Sequence, residues 1–306
     1  DYPKARLHLE NWPKPVVELQ AYYRLELDAL EAAKADDPIA QKALIERLQS
    51  FDHRLLPLPQ LHNLAKLALT LQAPAFAASV YEEIADRDPA QRIASLKSAA
   101  QWYLAGEQPG RAADIYLLLK QDSQQASERR EYAQLAFNSL LAAGRGEQAA
   151  RVLADELDQL KDPQTDSPWL EQGVDVAVGS KRFDLAQRFL DQWRVLQPDN
   201  PQILRKEFSM RLALGDLAGA WDSGQQLVAE HPDDLALLEQ MGHLGEWRGD
   251  SKAALGYWIR LLKLHEDPQT REHAWRLASQ QFDFDHAIPL LAEIMEQRAL
   301  TDVELD

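Results

Sequence analysis

Histidine can serve as a metal ligand or as an acid–base group near neutral pH, and the chain has eight histidines. They lie at positions 8, 53, 62, 231, 243, 265, 273 and 286. No two are spaced i and i+4 as a helical metal pair, and the His-Glu-x-x-His motif is absent. A turn predicted at Pro268 separates the nearest pair, His265 and His273. The spacing predicts ordinary surface or packing residues, with no metal and no cofactor.

Two glycine groups, 144–146 and 242–245, superficially resemble phosphate-binding loops. A phosphate loop needs a preceding strand and a helix N-terminus that aims N–H groups at the anion. Neither group follows a predicted strand, so no nucleotide site is expected.

Asp283 and Asp285 could act as a pair of catalytic carboxylates, but they precede a helix predicted near His286. Aspartate caps the N-terminus of a helix and is favoured there by the helix dipole. A serine nucleophile elbow is absent, and a chain without cysteine has no thiol nucleophile, disulfide or cysteine-bound zinc. No catalytic residue is predicted, and we expect the protein not to be an enzyme.

The elements that carry these residues are predicted to be helices. The 306 residues include 44 Ala and 49 Leu, but only 10 Val, 9 Ile and 4 Thr. Alanine and leucine favour helices, whereas β-branched residues favour strands, so the composition predicts an all-α fold.

The net charge of −16 argues against a nucleic-acid binder and against a polybasic membrane-surface protein. No apolar run is long enough to span a membrane.

A small-residue position recurs along the chain with a nearly constant period. Its members are alanines that follow a turn and precede a large apolar residue: Ala78, Ala113, Ala150, Ala186, Ala220, Ala254 and Ala287. Two helices cross closely only where a side chain is small, so each alanine is predicted to mark a helix–helix crossing. Proline follows most of these positions and ends a helix, and neighbouring aspartates are predicted to cap the next one: Asp88, Asp162, Asp199, Asp233 and Asp267.

The unit of about 34 residues, its central small position and its terminal proline resemble the tetratricopeptide repeat (TPR) family. The resemblance covers roughly residues 60–300 and implies an α-solenoid of helix-turn-helix repeats that forms a right-handed superhelix. Residues 61–306 are expected to hold about seven repeats. Residues 1–60 are expected to form an N-terminal helical or capping segment, with one long helix over 16–35.

In a solenoid of this kind the first helices line a groove that binds peptides or polymers. Four tryptophans lie on predicted first helices: Trp102, Trp169, Trp247 and Trp275. Tryptophan and arginine are common at interface hot spots, although each of these tryptophans could instead pack between helices. The predicted partner-binding residues lie on the later first helices, on the side facing away from their own second helix: Arg205, Glu239, His243, Glu246, Trp247 and Arg276. A solvated helix face is the alternative.

Residues 245–250, with 258–261 after them, are similar to the repeat scaffold of the PelB family of exopolysaccharide export proteins. That resemblance implies a periplasmic part of a protein anchored in the outer membrane, and a chain that begins at Asp1 without Met is expected to be such a part. It also implies a protein partner, a PelA-like polysaccharide deacetylase/hydrolase. Two alternatives remain: a groove that itself binds a cationic polysaccharide, and a cytoplasmic adaptor of the co-chaperone type.

Overall fold

The computed structural model describes residues 2–12, 17–35 and 38–297. Regular structure within those residues is helical throughout, with seventeen α-helices and one short 3₁₀ turn, which confirms the all-α prediction. The chain divides into two compact units, Asp1–Gln159 and Leu160–Asp306. Among the helices of the described residues, none combines the length and the apolar character needed to cross a membrane.

The first unit holds three N-terminal helices and then three helical hairpins of the TPR-like kind. The N-terminal helices are α1 (Tyr2–Glu10), α2 (Val17–Ala35) and α3 (Pro38–Gln49); residue 16, where α2 was predicted to begin, lies outside the described residues. The hairpins are α4 (Leu58–Thr70) with α5 (Pro74–Arg87), α6 (Arg92–Ala105) with α7 (Pro109–Asp122), and α8 (Ala126–Ala142) with α9 (Gly146–Glu156). The 3₁₀ turn, Leu157–Gln159, follows α9.

The second unit consists of four further hairpins. They are α10 (Pro163–Gly179) with α11 (Phe183–Leu196), α12 (Pro201–Leu214) with α13 (Leu217–Glu230), α14 (Leu235–Trp247) with α15 (Ser251–Leu264), and α16 (Pro268–Gln280) with α17 (Phe284–Gln297). Each helix packs against the next along the chain. A continuous apolar core runs through α12 to α17 of this unit, from Phe208 to Ala287.

The recurring alanines lie on the second helix of each hairpin and are all buried. Ala254 on α15 shows why the position must be small. A Cβ added to Gly245 of α14 would lie 2.9 Å from the Ala254 Cβ and 3.0 Å from its backbone N. The two helices therefore meet almost backbone to backbone, which a larger side chain would prevent.

Every turn between the two helices of a hairpin contains one residue in the left-handed conformation. Three of these residues are glycines and four are not: Gln72, Glu107, Gly144, Lys181, Gly215, Gly249 and Phe282. The next residue donates its N–H to a carbonyl five residues back, as Asp250 does to Gly245 at 2.9 Å. This is the Schellman hydrogen bond, which closes the first helix and reverses the chain.

Side-chain caps begin most helices of the second unit. Asp162 and Asp267 accept backbone N–H groups of α10 and α16, as predicted. The caps of α12 and α14 are Asn200 and Asp234, one residue later than Asp199 and Asp233. The prediction for Asp88 was wrong as well, because the residue at the N-cap position of α6 is Gln91.

Replacing Ala254 with leucine is expected to lower the free energy of unfolding by about 1–3 kcal/mol, because the added carbons meet the α14 backbone. Denaturant unfolding followed by far-UV circular dichroism measures the change. The control is Ala218→Leu on an exposed position of α13, expected within about 0.5 kcal/mol of wild type. Equal stability of the two variants would contradict the close crossing.

Candidate interaction surface

Glu246, in the last turn of α14, is the centre of a partly buried polar cluster. Its Oε1 accepts a hydrogen bond from Trp258 Nε1 at 3.0 Å, and His273 Nε2 lies 2.6 Å from the same oxygen. Trp258 belongs to α15 and His273 to α16, so one carboxylate joins three successive helices. The side chain of Glu246 is 23% exposed, which strengthens these contacts relative to fully solvated ones.

Two glycines of α14 allow this cluster to form. A Cβ on Gly242 would lie 2.6 Å from Trp258 Cε2, so the indole occupies the space that a side chain would otherwise fill. Gly245 makes the close approach to Ala254 one turn later. The pair that superficially resembled a phosphate loop therefore has a packing role, and no strand precedes it in the described residues.

His243 lies between a buried and an exposed tryptophan. Its ring meets Trp258 edge to face, with centroids 4.8 Å apart, and stacks on Trp247 with centroids 6.0 Å apart. Trp258 is 3% exposed, whereas Trp247 is 63% exposed. A large, exposed aromatic ring held against a structured polar cluster has the character of an interface anchor.

Arg276 completes the cluster and determines which tautomer the neutral His273 ring adopts. Its Nη2 lies 2.8 Å from His273 Nδ1. A guanidinium can only donate, so Nδ1 accepts and a neutral ring carries its proton on Nε2, directed at Glu246. A chain of hydrogen bonds thus runs from Arg276 through His273 to Glu246, which Trp258 also approaches.

The structure brings together four of the six predicted partner-binding residues: His243, Glu246, Trp247 and Arg276. Glu239 is exposed on α14, two turns before Glu246. The prediction that these side chains face away from their own second helix was wrong for His243 and Glu246. They contact Trp258 of α15, because Gly242 leaves room for its indole.

Sequence analysis missed two members of the cluster, Trp258 and His273. The sequence held a signal for His273. This residue follows His243 by 30 residues, which is one helical turn less than the repeat. That interval places two side chains next to each other on the first helices of neighbouring repeats.

Arg205, the sixth predicted residue, lies outside this cluster and forms an ion pair with another helix. Its Nη2 donates to Asp234 Oδ2 at 3.0 Å, which joins α12 to the start of α14. Asp234 also caps α14 through the N–H of Leu237 at 3.1 Å. That backbone hydrogen bond lowers the pKa of Asp234 below its ordinary value, and the contact with Arg205 lowers the pKa further.

The remaining candidates from the sequence are accounted for by packing or capping. Trp169 is buried, and Trp102 and Trp275 are half-buried. Asp283 accepts hydrogen bonds from the backbone N–H of His286 at 3.4 Å and from its ring Nδ1 at 2.8 Å, which agrees with a capping role.

No protein-family model matches the sequence, and no curated protein matches it. Among solved structures, the chain is similar to a Naa15/Naa10 structure bound to HypK-THB, with a TM-score of 0.52 and 14% identity over 97% of this chain and 52% of that chain. At that identity the likeness shows the fold alone.

Two further solved structures are similar to the chain with lower TM-scores. One is to MamA AMB-1, with a TM-score of 0.42, 17% identity, and coverage of 58% of this chain and 97% of that chain. The other is to a tetratricopeptide repeat protein from Parabacteroides merdae, with a TM-score of 0.37, 13% identity, and coverage of 80% and 95%.

Replacing Asp234 with alanine is expected to lower the free energy of unfolding by about 1–2 kcal/mol at neutral pH, because it removes a cap and an ion pair. The neighbouring exposed residue provides the control, Asp233→Ala, expected within about 0.5 kcal/mol of wild type. Urea unfolding at several pH values measures both.

The difference between wild type and Asp234→Ala should also depend on pH. A carboxyl whose pKa is lowered on folding stabilises the native state above its unfolded pKa, about 3.9. This contribution is lost as the pH falls through the lower folded pKa. A stability difference that stayed constant from neutral to strongly acidic pH would contradict the assignment.

Proposed function

We propose that this chain is a non-catalytic scaffold that binds a protein partner through one surface of α14 and α16. This surface, here called the Trp247 surface, consists of Glu239, His243, Glu246, Trp247 and Arg276. The observation that carries the proposal is the 63% exposure of Trp247 while its ring stacks on His243. An exposed indole loses apolar contact with water only when a partner covers it.

The position of Trp247 limits the conformational entropy that its side chain loses when a partner binds. Stacking on His243, which itself contacts the buried Trp258, holds the ring beside a fixed cluster. A side chain ordered in advance loses less conformational entropy when a partner binds. A matching partner segment presents an apolar or aromatic side chain to Trp247 and an acceptor group to Arg276.

A more specific partner is proposed from the resemblance of residues 245–250 and 258–261 to the PelB family. On that basis the partner is a PelA-like polysaccharide deacetylase/hydrolase, met in the periplasm during exopolysaccharide export. Isothermal titration of the purified chain with such an enzyme tests this partner. A protein that binds through the Trp247 surface but is not such an enzyme would refute only the specific identity.

A second candidate function is direct binding of a cationic, partly deacetylated polysaccharide. The net charge of −16 and the exposed indole favour it, because carboxylates and aromatic faces both attract amines. Titration with such a polymer separates the candidates. Tight protein binding with at most millimolar glycan binding favours the scaffold, and the reverse favours the polymer groove.

Replacing Trp247 with alanine is expected to cost about 2 kcal/mol or more of partner affinity, as truncation of an interface anchor does. The melting temperature should change little, because this side chain is mostly exposed. The control is Phe284→Ala on α17, which removes an aromatic ring of similar exposure, 61% against 63%. Titration calorimetry and thermal melts give the two readouts.

Equal loss of affinity in both variants would indicate nonspecific apolar association. A large fall in melting temperature for Trp247→Ala would instead make this residue part of the core. Either outcome would contradict the proposed surface.

A further inference from the structure

We propose that His243, Glu246 and His273 bind one divalent transition-metal ion of the class that includes Zn²⁺. Two imidazoles and one carboxylate form the ligand set, and the ion would join α14 to α16. The proposal does not require the proposed partner, because all three ligands come from this chain, although His243 and Glu246 also belong to the Trp247 surface.

The distances between the ligand atoms are close to those of a metal site. Glu246 Oε1 lies 3.9 Å from His243 Nδ1 and 2.6 Å from His273 Nε2. One ligand atom from each residue can be chosen so that all three lie within 4.8 Å of one another. Tetrahedral zinc, with bonds of about 2.0–2.2 Å, separates its ligand atoms by about 3.3–3.6 Å. To reach that spacing, the Glu246–His273 contact must open and the His243–Glu246 contact must close, each by about 1 Å or less.

The surroundings of the three residues suit an ion that arrives from solvent. All three are half-buried, with side-chain exposures of 43% for His243 and 23% for both Glu246 and His273. Trp258 donates to the Glu246 carboxylate from the buried side and orients it, as outer-shell donors do in metal sites. The open side leaves a fourth position for water or a donor atom from a partner.

The donor set also selects the class of ion. Imidazole nitrogen suits zinc, nickel, copper and cobalt, whereas calcium and magnesium require mainly oxygen ligands. With one carboxylate and two imidazoles, this site should discriminate strongly against calcium and magnesium.

Arg276 opposes the ion in two ways. Its donation to His273 Nδ1 holds the proton on Nε2, the nitrogen that must become a metal ligand. An ion at Nε2 requires that proton to move to Nδ1, where the Arg276 hydrogen bond must then break. The guanidinium charge also repels a dication. Arg276 is exposed and can turn into solvent, so removing it should strengthen metal binding.

The test is isothermal titration of zinc chloride into the full chain. The protein carries no affinity tag and is first treated with chelator. We expect one ion per chain with micromolar or tighter affinity, together with a raised melting temperature. His273→Ala and Glu246→Gln should each weaken binding by at least about tenfold. Arg276→Gln should bind zinc several-fold more tightly than wild type. The control, His231→Ala, removes an exposed histidine outside the cluster and should leave the affinity unchanged.

Cobalt binding can be measured on the wild-type protein, so this test does not depend on whether any variant folds. Co²⁺ at a four-coordinate site with nitrogen and oxygen ligands produces intense visible absorption, which excess zinc should remove. Wild-type binding only at millimolar zinc would overturn the proposal, as would a hexa-aqua-like cobalt spectrum or zinc affinity unchanged by both ligand substitutions. Weaker binding in Arg276→Gln would overturn the opposing role of Arg276.

Discussion

The close crossing of the two helices within each hairpin is the constraint on which the rest of this structure depends. In the hairpin of α14 and α15, Gly245 meets Ala254 so closely that an added Cβ would lie 2.9 Å from the alanine Cβ. Helices this close leave little space for large side chains at the crossing itself. Trp258, one turn beyond Ala254, therefore extends over Gly242 and reaches the polar side chains on α14. The Glu246 cluster is a direct consequence of this packing.

The turns show how strongly the hairpin geometry overrides local preference. A non-glycine residue in the left-handed region costs about 1–2 kcal/mol, yet four of the seven turns place one there. The Schellman hydrogen bond and burial of the neighbouring helices offset that cost, since both require the chain to reverse at this residue. Glycine is consequently a poor guide to these turns, and the buried alanines mark the repeat more reliably.

Several contacts between neighbouring hairpins of the second unit share a second spacing. Arg205 reaches Asp234 after 29 residues, and Lys206 reaches Asp175 over 31. His243 and His273, 30 residues apart, follow the same rule. The interval is one helical turn less than the repeat, because a side chain on one hairpin meets the preceding turn of the next. In the second unit this rule brings ion pairs together and also creates the histidine pair near Glu246.

The sequence by itself determined the all-α class, the spacing of the helical hairpins and the burial of the recurring alanines. These properties depend on composition and on periodicity, which can be read along the chain. It also named four residues that the structure brings together around Glu246, because aromatic and charged side chains interrupt an apolar stripe there. Only the tertiary structure decided that Trp258 and His273 join them. The reason is that three helices converge there, and the periodicity of one helix does not show which side chains a neighbouring helix places against it.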